Sequence, residues 1–200
     1  HNDFLLIDGQ KMSKSLGNFY TIDDIKTRPI SPMALRLLFL QTHYRQIMNF
    51  TWESLSAASN AYGKLVNFVY ELKQEFNESN LKKEYGQEAK AYRHKFIDAI
   101  SDDLQAPKAV AVLWEIVKSN ISAEEKLNLI LEIDGVLGLN LKNAKFIVFE
   151  IPEEIKKLAQ EREEARIAKN FKKSDELRGA INQKGYDIKD TDKGYKISKK

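Results

Sequence analysis

The chain contains no cysteine, which excludes a disulfide framework and any thiolate metal site and fits a cytosolic protein. Histidine is almost as scarce: His1, His43 and His94 are too scattered to hold a metal together. No apolar run approaches the roughly 18 residues needed to cross a bilayer, so no membrane partner is expected. The opening passes from His1 and Asn2 directly into Phe4, Leu5, Leu6 and Ile7. It has neither an initiator methionine nor the basic start of a signal peptide, and it reads as an excised segment of a longer protein. Proline occurs four times, at 29, 32, 107 and 152, too rarely for a proline-rich linker and well placed to punctuate helices. The net charge is only +3, which nominates no partner by itself. Its distribution is more telling, because residues 145–200 hold 15 Lys/Arg against 11 Asp/Glu, leaving 17 against 18 in residues 1–144.

What is present is an ordinary globular balance, 42% apolar and 30% charged, with strong helical periodicity. Residues 4–8 read as a short buried strand and residues 9–18, polar and rich in Gly, Ser and Lys, as a loop. Thr21 followed by Asp24 is the start of a capping box for a short helix that Pro29 must end. Ser31 and Pro32 supply an N-cap and first-turn proline for a helix carrying Leu35, Leu38, Phe39 and Tyr44. Leu55, Ala58, Tyr62, Leu65, Val69, Leu72 and Phe76 recur by threes and fours, one stripe of a long helix. A second stripe, Tyr85, Ala89, Tyr92, Phe96 and Ile100, follows a polar break at 77–80. Pro107 opens a helix with Val110, Leu113, Trp114 and Val117 inward. Ser122 with Glu125 caps another containing Leu127, Ile130, Leu131 and Leu137. Short breaks between such helices predict an antiparallel bundle.

Gly135 and Gly138 close the bundle, and residues 139–152 read as an irregular connector. Two charged helices are expected beyond it, over about 152–171 and 174–184. They are followed by a β-hairpin with Tyr186 and Ile188 on one strand and Tyr195 and Ile197 on the other. Arg162, Arg166, Lys169 and Lys173, spaced four, three and four, predict a basic ridge on one helix face. On charge alone a solvated face laced by Glu163 and Glu164 is an equal reading. The domain plan is therefore 1–30, 31–140 and 141–200, in a mainly α protein.

The residues that carry chemistry are Lys11, Met12, Ser13, Lys14 and Ser15, extended by Leu16, Gly17 and Asn18. They match the KMSKS signature of class I aminoacyl-tRNA synthetases. Two ammonium groups on flexible stems can stabilise the negative charge that grows on the phosphates when a carboxylate attacks ATP. The Ser hydroxyls add hydrogen bonds, and Met12 is read as a packing residue at the neck of the loop. Gly9 and Gly17 are expected to let the loop open and close.

Further along, Asn18, Phe19, Tyr20 and Thr21, then Pro32, Ala34, Leu35 and Arg36, then His43, Tyr44 and Arg45 with Asn49 and Phe50, resemble the cysteinyl-tRNA synthetase family, where the signature loop leads into a DALR-type helical domain. His1 and Asn2 are similar to the end of that family's Trp-x-His-Asn-Gly stretch, with Asp3 in place of the glycine. Ser101, Asp102, Asp103, Leu104, Gln105, Ala106 and Pro107 resemble its Met-Asp-Asp-Asp-Phe-Asn-Thr-Pro motif. The resemblance implies the end of a class I catalytic domain in 1–30, a DALR-type bundle in 31–140 and an anticodon-binding module in 141–200. It implies activation of cysteine with ATP and transfer to cysteine tRNA, in the cytoplasm and by a monomer. Lys14 and Lys11 are the implied catalytic residues, within an ATP-binding stretch of Lys11, Met12, Ser13, Lys14 and Ser15. Arg166, Phe171, Asp175 and Asp190 are the implied anticodon readers. Single-stranded bases are read by stacking and by hydrogen bonds to their edges, which suits that mixture.

ATP with magnesium is the implied cofactor. The zinc of the full-length enzyme would have its ligands elsewhere, so no metal ligand is assigned in this chain. The family's His-Ile-Gly-His motif is also not among these residues, so the chain by itself is expected to be inactive. The chain departs from the family in having Phe171 where tryptophan is usual. It also has Tyr195, Lys196 and Ile197 after Gly194 where Gly-Thr-x-Trp is common. A cysteine:amino-sugar ligase relative lacks the basic C-terminal module, and a stand-alone tRNA-binding module has no use for the signature loop. Arg36, His43 and Tyr44 read first as structural residues, Arg36 through pairing with a surface carboxylate.

Overall fold

The computed structural model describes residues 5–28, 30–76, 81, 84–147, 151–191 and 194–199. It is mainly helical, with a small N-terminal sheet and a C-terminal hairpin, and it divides into two compact units, 1–147 and 148–200. Among the described residues no helix is long and apolar enough to cross a membrane.

The first unit opens with β1 (Leu5–Ile7), which turns through Asp8 and Gly9 into β2 (Gln10–Lys11). Both turn residues have positive φ, 50° and 77°. That is the two-residue turn whose twist matches antiparallel strands, and it explains the Asp-Gly pair. The polar segment expected to be loop from residue 9 therefore includes a two-residue strand, Gln10–Lys11. A further strand, β3 (Met48–Phe50), lies parallel to β1, giving the order β2-β1-β3. Parallel neighbours need a long crossover, supplied here by two helices.

Those helices are α1 (Ile22–Lys26) and α2 (Pro32–Leu40). Thr21 and Asp24 form the reciprocal capping box, and the Ser31 hydroxyl caps α2 with Pro32 in its first turn. Pro29 lies outside the described residues. α2 ends at Leu40, so Tyr44 is not on it but in the turn leading to β3.

The bundle continues with α3 (Trp52–Glu75), α4 (Gln87–Ser101), α5 (Ala106–Lys118) and α6 (Ala123–Leu137). Six of the seven residues in the predicted α3 stripe are buried, and the seventh, Phe76, is the C-cap. Residues 77–80, the expected polar break, lie outside the described residues. α2 packs on α3, α4 on α5, and α6 against α3, α4 and α5, with Leu65, Leu113, Ile116, Leu127 and Ile130 fully enclosed. Burial of such side chains contributes about 1.5–3 kcal/mol each before the entropy of ordering is subtracted.

The described segment after α6 is irregular, as expected, apart from a 3-10 turn at Leu141–Asn143, but it is packed into the first unit. Gly138 ends the helix in the left-handed region at φ 66°, and the buried Asp134 carboxylate accepts from the N–H groups of Leu139 and Leu141 at 2.7 Å each. Leu139 and Leu141 are fully buried, Tyr62 donates to the Leu139 carbonyl at 2.9 Å, and the Asn67 amide clasps both backbone groups of Ile147. Residues 139–147 thus belong to the first unit.

In the second unit, α7 (Glu153–Ile167) packs on α8 (Phe171–Gln183), and β4 (Tyr186–Thr191) pairs antiparallel with β5 (Gly194–Lys199). Ile188 faces Ile197 in the register, and Ile155, Ala159, Ile181, Tyr186 and Ile188 form the core. Asp192 and Lys193, in the expected turn, lie outside the described residues.

Candidate functional site

The signature stretch grows out of β2. Lys11 is the last strand residue, paired with Leu6, and both Lys11 and Lys14 are exposed. Asn18 staples the excursion: its carbonyl oxygen accepts from Ser13 N–H at 2.8 Å, and its amide donates to the Lys11 carbonyl at 3.1 Å. Gly17, at φ 68°, closes a turn by donating to the Lys14 carbonyl at 3.2 Å. The Ser13 and Ser15 hydroxyls are hydrogen-bonded to each other at 2.8 Å, and the Lys14 ammonium lies 5.4 Å from the Phe19 ring centroid. Met12 turns down into an apolar cavity of about 310 Å³ with Ile7, Phe19, Tyr20, Leu35 and Phe50, so its part is packing. Gly9 is a turn residue whose N–H donates to Asn49 Oδ1 at 2.8 Å, which ties the base of the loop to β3. The arrangement presents two cations on a short tethered loop while its root is fixed in a sheet.

Two of the segments that carried the resemblance meet each other. His43 Nε2 donates to the Asp103 carbonyl at 2.9 Å and its Nδ1 accepts from Arg45 N–H, which defines the Nε2-H tautomer. Tyr44 donates to Asp103 Oδ1 at 2.5 Å, and Arg45 reaches both Tyr44 and Asp103. Asp103 and Leu104 both sit in the left-handed region, at φ 53° and 51°, so this knot holds a strained α4–α5 turn. Among the described residues no carboxylate pairs with Arg36. Its Nε donates to the Leu137 carbonyl at 2.6 Å, capping the negative end of α6.

In the second unit the predicted basic ridge is absent. α7 stops at Ile167 because Asn170 N–H bonds to the Ala165 carbonyl and Lys169 N–H to the Arg166 carbonyl, a Schellman turn with Lys169 at φ 58°. Asn170 then caps α8, so Lys173 belongs to the next helix. Arg162 is only 4% exposed and points into the unit, not out of it.

Of the four implied anticodon readers, the structure joins two. Arg166 donates to Asp190 Oδ1, and the same carboxylate is held by the fork of Arg162, with Nη1 to Oδ1 at 2.8 Å and Nη2 to Oδ2 at 3.2 Å. The Arg162 hydrogen bonds hold the Asp190 carboxyl below the usual carboxylate range. Phe171, 65% exposed, stands at the first turn of α8 with Asp175 exposed one turn on. Arg162 was missed as a partner of Asp190, since the two are 28 residues apart and only its helical spacing is visible locally.

Among the described residues no three His, Asp or Glu side chains gather as metal ligands, and the chain has no cysteine. The described residues offer no ligand set that fits a zinc ion.

Comparison with known proteins gives matches at two levels. Residues 1–60 match the family described as tRNA synthetases class I (C) catalytic domain. The whole chain aligns with a cysteine–tRNA ligase of Borreliella burgdorferi at 37% identity and one of Chlamydia caviae at 35%, covering 44% of each. A cysteine–tRNA ligase 1 of Burkholderia lata is 32% identical over 98% of the chain and 40% of that protein. The chain thus spans less than half the length of the curated relatives it matches.

Proposed function

Because this chain is a homologue of the cysteine–tRNA ligases over its whole length, we propose that it supplies the ATP-clamping loop and the tRNA-binding region of an enzyme that activates cysteine and transfers it to cysteine tRNA. The stretch matched by the catalytic-domain family, residues 1–60 with the three-stranded sheet, closes the catalytic domain, the helices that follow up to residue 147 form the DALR-type bundle, and residues 148–200 bind the anticodon. The observation that carries this reading is the tethered signature loop, with Lys11 and Lys14 both exposed on a fixed root.

During activation a cysteine carboxylate oxygen attacks the α-phosphorus of ATP, forming one P–O bond as the bond to pyrophosphate breaks. Negative charge rises on the phosphate oxygens. Lys14 and Lys11 act by electrostatic stabilisation at that moment, and Ser13 and Ser15 exchange their mutual hydrogen bond for bonds to phosphate. Magnesium travels on the nucleotide phosphates, so no carboxylate of this chain is asked to hold it. The same reading carries a cytoplasmic location and a monomeric state.

The test is adenylate formation. In the complete enzyme, Lys14→Ala is expected to slow single-turnover cysteine activation by about a hundredfold or more, the scale for loss of one transition-state donor. The 200-residue chain alone should show no cysteine-dependent pyrophosphate exchange. An unchanged single-turnover rate removes Lys14 from catalysis, and clear exchange by the chain alone overturns the division of labour.

A further inference from the structure

Arg162 is the one buried charged side chain among the described residues of the second unit. Its partner is not buried: the Asp190 side chain is 44% exposed. An exposed carboxylate has no need of a buried guanidinium for its own solvation, and a buried ion pair is a weak source of stability. What the fork does provide is direction. Two parallel bonds, one to each oxygen, fix the plane of the carboxylate as a single ammonium would not.

From this geometry we infer that Arg162 is a positioning residue for specificity, holding Asp190 so that its outward lone pairs meet a base edge. The inference rests on the reading of the second unit as an anticodon-binding module. A carboxylate offers about four acceptor positions. Arg162 takes one on each oxygen and Arg166 takes another on Oδ1, so Oδ2 of this part-exposed side chain retains acceptor capacity.

The surroundings also resolve a charge problem. Asp190 lies within electrostatic reach of Arg162, Arg166 and Arg178, and Glu163 accepts from Arg166. Three guanidinium groups against two carboxylates leave the cluster net positive, so an aspartate can stand beside RNA without repelling it. Arg166 and Asp190 then act as one unit set by Arg162, rather than as independent readers.

The test uses the 200-residue chain and transcripts of cysteine tRNA carrying the guanine-cytosine-adenine anticodon or single substitutions in it. Binding is measured for wild type, Arg162→Lys, Arg162→Met, Asp190→Asn and the Arg162→Met/Asp190→Asn double variant. Arg162→Lys keeps the charge without the fork, and it carries the comparison if Arg162→Met fails to fold. Each single variant is expected to lower the ratio of cognate to substituted binding by about tenfold, the scale for one base contact. The double variant should lose no more than either single one, because both act through one carboxylate. The unfolding midpoint and helical signal of Arg162→Lys should stay near wild type, which a purely structural role would not allow. The inference is overturned if the Arg162 variants keep the ratio while Asp190→Asn loses it, or if the two losses multiply. A wild-type chain that does not distinguish the transcripts refutes the anticodon reading itself, and the role of Arg162 with it.

Discussion

Gly138→Ala tests the joint at which α2 meets the end of α6. The new residue must adopt φ 66°, where an L-residue is disfavoured by about 1–2 kcal/mol. Restricting the unfolded chain returns roughly 0.4–1 kcal/mol. The added Cβ would lie 3.0 Å from Arg36 Nη2 and 3.2 Å from Cζ and Nε, so the guanidinium must shift away from the Leu137 carbonyl. A hydrogen bond to a charged group is worth roughly 1.5–3 kcal/mol, and partial loss of it brings the expected destabilisation to about 2–3 kcal/mol. In an Arg36→Met background the same glycine substitution should fall to about 1 kcal/mol, because only the backbone contribution remains. The assay is urea unfolding followed by tryptophan fluorescence. It reports the first unit specifically, since both tryptophans, Trp52 and Trp114, lie there. Equal destabilisation in the two backgrounds would show that Arg36 and Gly138 are not coupled, and the joint as described would be wrong.

Lys169→Gly should stabilise the second unit by about 0.5–1 kcal/mol, because glycine takes the left-handed C′ position of the Schellman turn without strain; slower amide exchange at Asn170 is the readout, and unchanged or faster exchange counts against it. Glu125 is held below the usual carboxylate range first by Gly86 N–H and then by the Ser122 hydroxyl. A lowered carboxyl contributes stability above its unfolded pKa and loses it as pH falls through the folded value. The stability difference between wild type and Glu125→Gln should therefore be present at about pH 6 and shrink below about pH 4; a difference that grows with acid refutes the assignment.

The features legible from the sequence are those whose cause lies within a few residues. The capping boxes at Thr21/Asp24 and Ser122/Glu125 and the Ser31-Pro32 start are complete in local spacing, and the α3 stripe is complete in its periodicity. β3 has only three residues, and its partner β1 is about forty residues earlier, so no local pattern announces it. The basic ridge failed for a related reason. Ala168, Lys169 and Asn170 contain no glycine to mark a helix end, and the helical spacing of Arg162, Arg166, Lys169 and Lys173 runs through a turn set by backbone bonds.

The same distinction separates the residues that carry the family likeness from those that carry chemistry. The signature stretch is contiguous, so its two lysines were visible at once, and the structure adds Asn18 as the staple that holds them. Arg36, His43, Tyr44 and Asp103 are equally prominent in the resemblance, yet each is engaged with its own fold: Arg36 with the end of α6, the others with a strained turn. That turn is tied to the segment entering β3, and β3 in turn holds Gly9 through Asn49 at the root of the signature loop. Much of what identifies this chain is therefore scaffold that fixes where the loop is rooted. A base-reading carboxylate and a stabilising one look alike in sequence. On the proposed reading Asp190 serves as both, because Arg162, remote in the chain and buried in the fold, holds a part-exposed carboxylate without using all of its acceptor capacity.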